Sequence, residues 1–233
     1  MQKILGKLRR AVQDFDMIQD GDYIAVGVSG GKDSIALLYG MHLLKKFYPI
    51  KFDVVGLMLT LGYENFNTTE IEKFCREKEI SFFIKETDIK KIVFDYRKED
   101  NPCSLCANLR RGALNNFAIE KGCNKVALGH HYNDLIETLI MNMFYNGRLH
   151  TFEPVSYLDR SKITVLRPFI YVKEKDIKSE VKKNNLPIVI NPCPVEGNTK
   201  RHYIKKLIND LKYNVPDIDK HIFSAIKKDI FNM

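Results

Sequence analysis

No apolar run in the chain approaches the roughly 18 to 20 residues of a membrane span. Residues 1–20 are basic and amphipathic and lack the apolar core of a secretory signal. Both absences lead to the expectation of a cytoplasmic address with no membrane partner. Cysteine is sparse and odd in number, five in 233 residues. A disulfide framework is therefore not expected, and in a reducing compartment the thiols serve metal ligation or burial. No internal repeat or low-complexity tract is present, which excludes solenoid and tract-like architectures. Acidic residues are in deficit, 29 against 37 Lys and Arg, for a formal charge of +8 and a pI of about 9.1. That sign favours polyanionic partners such as RNA. What the chain has in quantity is apolar surface: 45% of its residues are hydrophobic, enough for a full core in one domain with a small appendage.

Apolar runs at 23–28, 52–59, 81–84, 125–128 and 163–166, each bounded by Gly, Pro or polar residues, predict strands. Helical spacing fills the gaps at 34–46, 68–79, 104–121 and 133–145. A basic amphipathic helix is expected over 1–19, with Ile4, Leu5, Leu8, Val12, Phe15 and Ile18 on its apolar side. Further helices are expected at 173–184, 200–211 and 217–231, with a Pro-rich turn over 186–194. Alternating strand and helix gives an α/β fold, and near-continuous apolar strands suit a parallel sheet covered on both faces. We expect a basic helix over 1–20, a nucleotide-binding α/β domain over 21–170 and a helical segment over 171–233 that brings in Cys193. Ligands of such sheets bind at the C-terminal strand ends. The segment after Val28 and the Gly129-His130-His131 segment both fall there.

The first of these segments reads Ser29-Gly30-Gly31-Lys32-Asp33-Ser34 between a strand and a helix. Paired glycines let the backbone approach an anion, and the next helix aims free N–H groups and its positive dipole end at the same point. Ser29 and Ser34 add hydroxyls, and Lys32 adds charge. A turn with serine caps can also simply join strand to helix. The spacing is neither Walker A nor Gly-x-Gly-x-x-Gly. It resembles the PP-loop, Ser-Gly-Gly-x-Asp-Ser, of enzymes that cleave ATP to AMP and pyrophosphate.

Cys103 and Cys106 form one Cys-x-x-Cys at a helix start, and Cys193 lies between Pro192 and Pro194. A helix N-terminus stabilises thiolates. Three thiolates leave two metal readings open. Structural zinc needs a fourth ligand, for which His202 is available. An iron–sulfur cubane would take three irons on cysteines and leave one open. Cys-x-x-Cys also occurs in redox motifs. Cys75 and Cys123 fall in apolar patterns and are read as core.

Together the Ser29–Ser34 loop, Cys103-Ser-Leu-Cys-Ala-Asn-Leu-Arg-Arg-Gly112 and Gly129-His-His-Tyr-Asn-Asp-Leu-Ile-Glu-Thr138 are similar in kind and order to the tRNA 2-thiocytidine synthetase (TtcA) family. Asn142-Met-Phe-Tyr-Asn-Gly147, Leu166-Arg-Pro-Phe169 and the late Cys193 extend the likeness over about residues 21–201. The resemblance implies a Rossmann-like PP-loop fold, MgATP, a 4Fe-4S cluster on Cys103, Cys106 and Cys193, and sulfuration of cytidine 32 in a tRNA anticodon loop. It also implies a sulfur donor, such as a cysteine desulfurase or free sulfide, and a homodimer. Ser29, Gly30, Gly31, Lys32, Asp33, Ser34, Gly129, His130, Asp134 and Arg167 are then the expected nucleotide and magnesium residues. Lys32, Asp33 and the three cysteines are the expected catalytic groups. Asn133 stands where the family pattern has Asp, the segment after Cys193 reads Pro-Val-Glu-Gly in place of a further cysteine, and the chain is short. His130 and His131 read equally as a base or as groups that hydrogen-bond the backbone or pack on the nucleotide, Glu137 as a cap, a loop brace or an arginine partner, and Arg110 and Arg111 as tRNA phosphate contacts or a solvated helix face. The Lys-rich stretches 173–183 and 200–206 are solvated surface or an electrostatic track. Competing functions are a lysidine synthetase-like ligase, a sulfurtransferase for a small molecule, and an ATP- or RNA-binding module without turnover.

Overall fold

The computed structural model describes residues 1–63, 66–97, 102–189, 193 and 200–233. Strands β1 (Asp22–Val28) and β2 (Phe52–Thr60) run parallel, with Ile24 beside Val54 and Val28 beside Met58. Strand β3 (Ser81–Glu86) continues the sheet beyond β2, β4 (Lys125–Ala127) pairs with the other side of β1, and β6 (Ile163–Leu166) follows β4. All of these pairings are parallel. A four-residue strand, β5 (Val155–Leu158), closes the far edge antiparallel to β6. The resulting order, β3-β2-β1-β4-β6-β5, reverses direction between β1 and β4. That gap is the topological switch point where open α/β sheets bind ligands.

Period-2 alternation places apolar residues on both faces. On β1, Ile24, Val26 and Val28 enter one core and Ala25 the other; on β2, Val54 and Met58 oppose Val55 and Leu57. The first core takes in helices α1 (Gln2–Asp14), α2 (Lys32–Lys45), α3 (Thr69–Glu77), α5 (Tyr132–Asn146) and α6 (Glu174–Lys183). The second is roofed by Phe117 and Ala118 of α4 (Pro102–Glu120). α1 buries Ile4, Leu8, Ala11 and Val12 and leaves Lys3, Arg9 and Arg10 outside. Burying each such Ile or Leu is worth about 1.5–3 kcal/mol over exposing it, so α1 docks through this stripe. Ile204 and Ile208 of α7 (Lys200–Leu211) join the same core, and α8 (Ile218–Ala225) packs on α5.

The structure departs from the sequence expectations in four places. α1 stops at Asp14, and Asp16 takes φ +45°, which turns Met17 and Ile18 into the core from outside the helix. β5 was missing from the expected strands: it is short and half exposed, with no strong apolar run. Residues Lys91–Arg97 form a π-helical turn. The helix expected over 217–231 is α8 followed by a second π turn, Ile226–Ile230, in which Phe231 N donates to Ile226 O at 3.0 Å. The wider turn keeps Ile226 buried while Phe231 packs edge-on to Phe15 at 5.9 Å. Most of the expected 186–194 turn, including Pro192 and Pro194, lies outside the described residues. Among the described residues no helix is long and apolar enough to cross a membrane.

Candidate functional site

The loop leaving β1 is braced by its own serines. Ser34 Oγ accepts from Ser29 N at 3.1 Å and donates to Gly31 O at 2.9 Å, with Ser29 Oγ 3.2 Å away. Gly30 takes φ +87°, and a Cβ there would lie 3.2 Å from the Val189 Cβ. Only glycine holds this bend without strain. The early N–H groups of α2, unmatched within the helix, are thereby presented at the switch point. Gly129, after β4, packs directly on this turn: a Cβ would sit 3.1 Å from Asp33 C and 3.2 Å from Ser34 N.

Between these two loops and α4 lies a cavity of about 570 Å³. Leu57, Leu59, Leu114 and Leu128 make an apolar wall suited to a planar base. Ser29, Asp33 and Ser34 form one polar end, His130, Asp134 and Arg167 another, and Arg110 and Arg111 enter from α4. Apolar walls with a few convergent polar groups are the mark of a small-molecule site.

Lys32 pairs with Asp33 Oδ2 at 2.9 Å and with Glu174 Oε1 at 3.2 Å. Burial disfavours its charge, but the two carboxylates outweigh burial and raise its pKa. Asp33 Oδ1 is buried with no hydrogen-bond partner, 3.7 Å from His131 Nε2. An orphaned carboxylate oxygen beside a phosphate-type loop fits a hard cation such as Mg2+. His131 caps α5: its Nδ1 accepts from Asp134 N at 3.3 Å, and Asp134 Oδ2 accepts from His131 N at 2.9 Å. With Nδ1 accepting, the hydrogen-bond network puts the proton of the neutral ring on Nε2, facing Asp33. Asp134 Oδ1 pairs with Arg201 at 3.1 Å. Both of its oxygens are engaged in capping and anchoring, so Asp33 is the better cation ligand. Asn133 Oδ1 accepts from Glu174 N at 3.0 Å and ties the start of α6 to α5. The Asn133 amide thus has a structural task.

Replacing the buried His131 with Ala removes a reciprocal cap, which typically costs about 1 kcal/mol. Thermal unfolding should show a fall of about 2–4 °C. An unchanged melting temperature would mean that the cap contributes nothing.

Burial, reinforced by Arg167 and Arg201 and opposed by Asp134, lowers the His130 pKa to about 4. The ring stays neutral near pH 7, tilted against Phe152 at 5.1 Å, with Nδ1 buried and unpartnered. Arg167 lies over the same Phe152 ring and donates through Nη1 to Glu153 O at 2.6 Å and to Ser156 Oγ at 3.1 Å. Burial and nearby Arg111 lower its pKa to about 10, so it stays charged. It orders the β5 edge, while its buried Nε has no partner.

Glu137 is buried, and burial together with nearby Asp134 pushes its carboxyl up to about 7 against the pull of Arg201, 3.4 Å away. A raised folded-state pKa favours the protonated form, so the stability this group gives is present at low pH and lost as pH rises from about 4 to about 7. Glu137→Gln should therefore gain stability relative to the parent between about pH 5 and about pH 8. Melting curves at both pH values check this, and an equal difference at both would refute it.

Cys103, exposed, and Cys106, half buried, occupy the first turn of α4. Burial raises the Cys106 pKa; the nearby Arg110 opposes the rise, while Cys193 and Cys103 add to it. Cys103 and Cys193 therefore both lie within electrostatic reach of Cys106. Tyr63 hydrogen-bonds Cys193, which with burial raises the phenol's pKa. Among the described residues no three His, Cys, Asp or Glu side chains are grouped closely enough to hold a metal ion, and His202 is exposed on α7. Three thiols with no fourth described ligand grouped beside them are the donor set of a cubane with one open iron more than of four-coordinate structural zinc. Cys75 and Cys123 are buried in the two cores, where burial pushes their thiols to about 12 and about 11.

Sequence reasoning missed Glu174 and Arg201 entirely and did not choose His131 over His130. The cap had a readable signal, since His131-x-x-Asp134 has the form of a capping box. Glu174 and Arg201 had none, because the partners that tie them to this site, Lys32 and Asp134, lie more than a hundred and more than sixty residues away and only the fold unites them.

The sheet order, the loop at the switch point and the adjoining cavity define a PP-loop ATP-binding protein, and a family model described as the PP-loop domain matches residues 2–211. The chain belongs to the tRNA-cytidine(32) 2-sulfurtransferase family. The member from Geobacter sulfurreducens is 38% identical over 97% of this chain and 89% of its own length. That from Geotalea daltonii is 39% identical over 97% and 90%. Among solved structures, the U34-tRNA thiolase NcsA from Methanococcus maripaludis with its [4Fe-4S] cluster superposes with a TM-score of 0.77 at 24% identity, covering 96% of this chain and 76% of that one. This last likeness is one of fold.

Proposed function

We propose that the chain is an ATP-dependent tRNA sulfurtransferase: it adenylates the C2 carbonyl of cytidine 32, and sulfide then displaces AMP. The observation that carries this reading is Arg110, which lines the nucleotide cavity and acts on the charge of the Cys106 thiol, so the thiols adjoin the place where a carbonyl would be activated. The substrate follows from the relatives' names and from the basic charge.

A pyrimidine carbonyl oxygen is a poor leaving group, and adenylation corrects this. Lys32 and the N–H groups at the start of α2 hold the phosphates, with Ser29 and Ser34 keeping the loop in shape. Gly30, Gly31 and Gly129 let the backbone close around them. Asp33 Oδ1 is the proposed Mg2+ ligand, and the ion supplies charge neutralisation at the phosphates. Arg167, Arg110 and Arg111 bring positive charge to the rim. Neutral His130 offers a lone pair to a donor of the bound nucleotide or base. Asp134 fixes the geometry through His131 and Arg201. Cys103, Cys106 and Cys193 are the proposed ligands that would hold a 4Fe-4S cluster, and the cluster would supply a binding site for sulfide. Residues 21–170 thus activate the substrate, and the 171–233 segment brings Cys193 to it, with 1–20 as a docked basic helix. A cysteine desulfurase or free sulfide as donor, a homodimer and a cytoplasmic location complete the proposal.

The test is anaerobic purification followed by incubation with ATP, sulfide and unmodified tRNA, with nucleosides read by mass spectrometry. 2-Thiocytidine with AMP formed in step supports the reading. AMP release that instead couples an amine to the base would move the chain to the ligases.

A further inference from the structure

A second cavity, of about 310 Å³, opens between α5, α6, α7 and α8. Five lysines line it, Lys173, Lys175, Lys178, Lys205 and Lys212, against the carboxylates of Glu137, Glu174 and Asp219. Glu174 is the hub: it takes Lys178 at 3.2 Å and Lys205 at 2.7 Å, and its other partner is Lys32 of the nucleotide loop. Burial alone would raise the Glu174 carboxyl, yet hydrogen bonds and charge from Lys205 and Lys32 hold it down at about 2. Lys173 is matched by Asp219 at 2.9 Å. Lys175 and Lys212 form no ion pair with any described carboxylate, so the cleft keeps an excess of positive charge next to the phosphate loop.

The lysines make a track. Lys205 lies on α7 and Lys212 in the turn that follows its last residue, Leu211, and Lys175 faces them from the first turn of α6. A single small anion satisfies one point, whereas an extended phosphodiester backbone satisfies a row. A large RNA that delivers one nucleotide to the cavity beside Lys32 must lay its flanking backbone on the adjacent surface. We infer that the lysine cleft between α6 and α7 is a docking site for the phosphate backbone of the tRNA substrate, with Lys175 and Lys212 as direct phosphate contacts. The inference rests on the tRNA reading above and gives that substrate a place on the protein. The Lys-rich stretches noted in the sequence thereby acquire a shared face.

The experiment is fluorescence anisotropy of labelled tRNA across a KCl series, with the parent chain, the Lys175→Ala/Lys212→Ala double variant, and Lys51→Ala as a control. Lys51 precedes β2, at the N-terminal end of the parallel strands, whereas the phosphate loop lies at their C-terminal end. The double variant should reduce the slope of log affinity against log salt by nearly two, about 0.7–0.9 for each lysine, and Lys51→Ala should leave it unchanged. ATP binding measured alongside reports that the nucleotide site is still formed. A slope in the double variant equal to that of the control overturns the inference. Calorimetric loss of pyrophosphate affinity with an unchanged tRNA slope also overturns it and assigns the cleft to the free anion. A parent chain that binds ATP and no tRNA removes the substrate reading itself, an outcome distinct from either.

Discussion

Cys193→Ser is expected to reduce tRNA thiolation to background and to strip most of the iron while leaving ATP binding close to that of the parent chain. The separation follows from construction. The nucleotide cavity is built from β1, β2, β5 and β6, the turns after β1 and β4, and α4 and the start of α5, and Cys193 is not among its walls. The thiol sits instead against Tyr63, within electrostatic reach of Cys106. Removing one of three ligands leaves a cubane two thiolates, and such clusters do not persist. Iron and acid-labile sulfide assays, the visible spectrum and nucleoside mass spectrometry read the loss; equilibrium ATP binding reads what is kept. Cys75→Ala is the contrasting variant. Its thiol lies wholly in the first core, so it should lower the melting temperature and spare the iron. Full iron content in Cys193→Ser, or loss of ATP binding in a folded Cys193→Ser, would break this division of labour.

The contrast between these cysteines shows how far a sequence can be read. Cys75 and Cys123 lie inside apolar patterns and are buried as that pattern requires, because burial is a local consequence of periodicity. The Ser29–Ser34 turn was equally legible: strand, paired glycines and helix start are contiguous, and each constrains its neighbours. β5 was not, since four residues with one face open carry too little apolar signal to announce a strand. Asn133 read as a gap in a motif, and only the meeting of α5 with α6 gives it a partner in Glu174 N. The same holds for Arg201, which joins Asp134, Glu137 and Thr138 once α7 lies on α5. Local turn chemistry survives translation from sequence to site. Charge networks between distant elements do not, because spacing along the chain says nothing about which faces meet.

Gly129→Ala is expected to weaken ATP binding by about ten- to a hundredfold in a chain that remains folded. The added methyl would fall 3.1 Å from Asp33 C, 3.2 Å from Ser34 N and 3.3 Å from Asp33 O. These are backbone atoms of the first turn of α2, which cannot rotate aside as a side-chain tip can. Relief must come from separating the β4 loop from the phosphate loop, and overpacking of this kind costs about 1–3 kcal/mol. The displacement acts where function is most sensitive. It moves Asp33 relative to His131 Nε2 and tilts the early N–H groups of α2 away from the phosphates. The core beneath is untouched, since Ile35, Leu37 and Leu38 are already inside it and Gly129 is not. ATP titration with circular dichroism on the same sample separates the two effects. Parental affinity in the variant would show that the two loops need no such close approach, and the role assigned to Gly129 would fall. Gly6→Ala, on the exposed face of α1 with nothing within 4 Å of the new methyl, is the matched control and should stabilise the helix slightly.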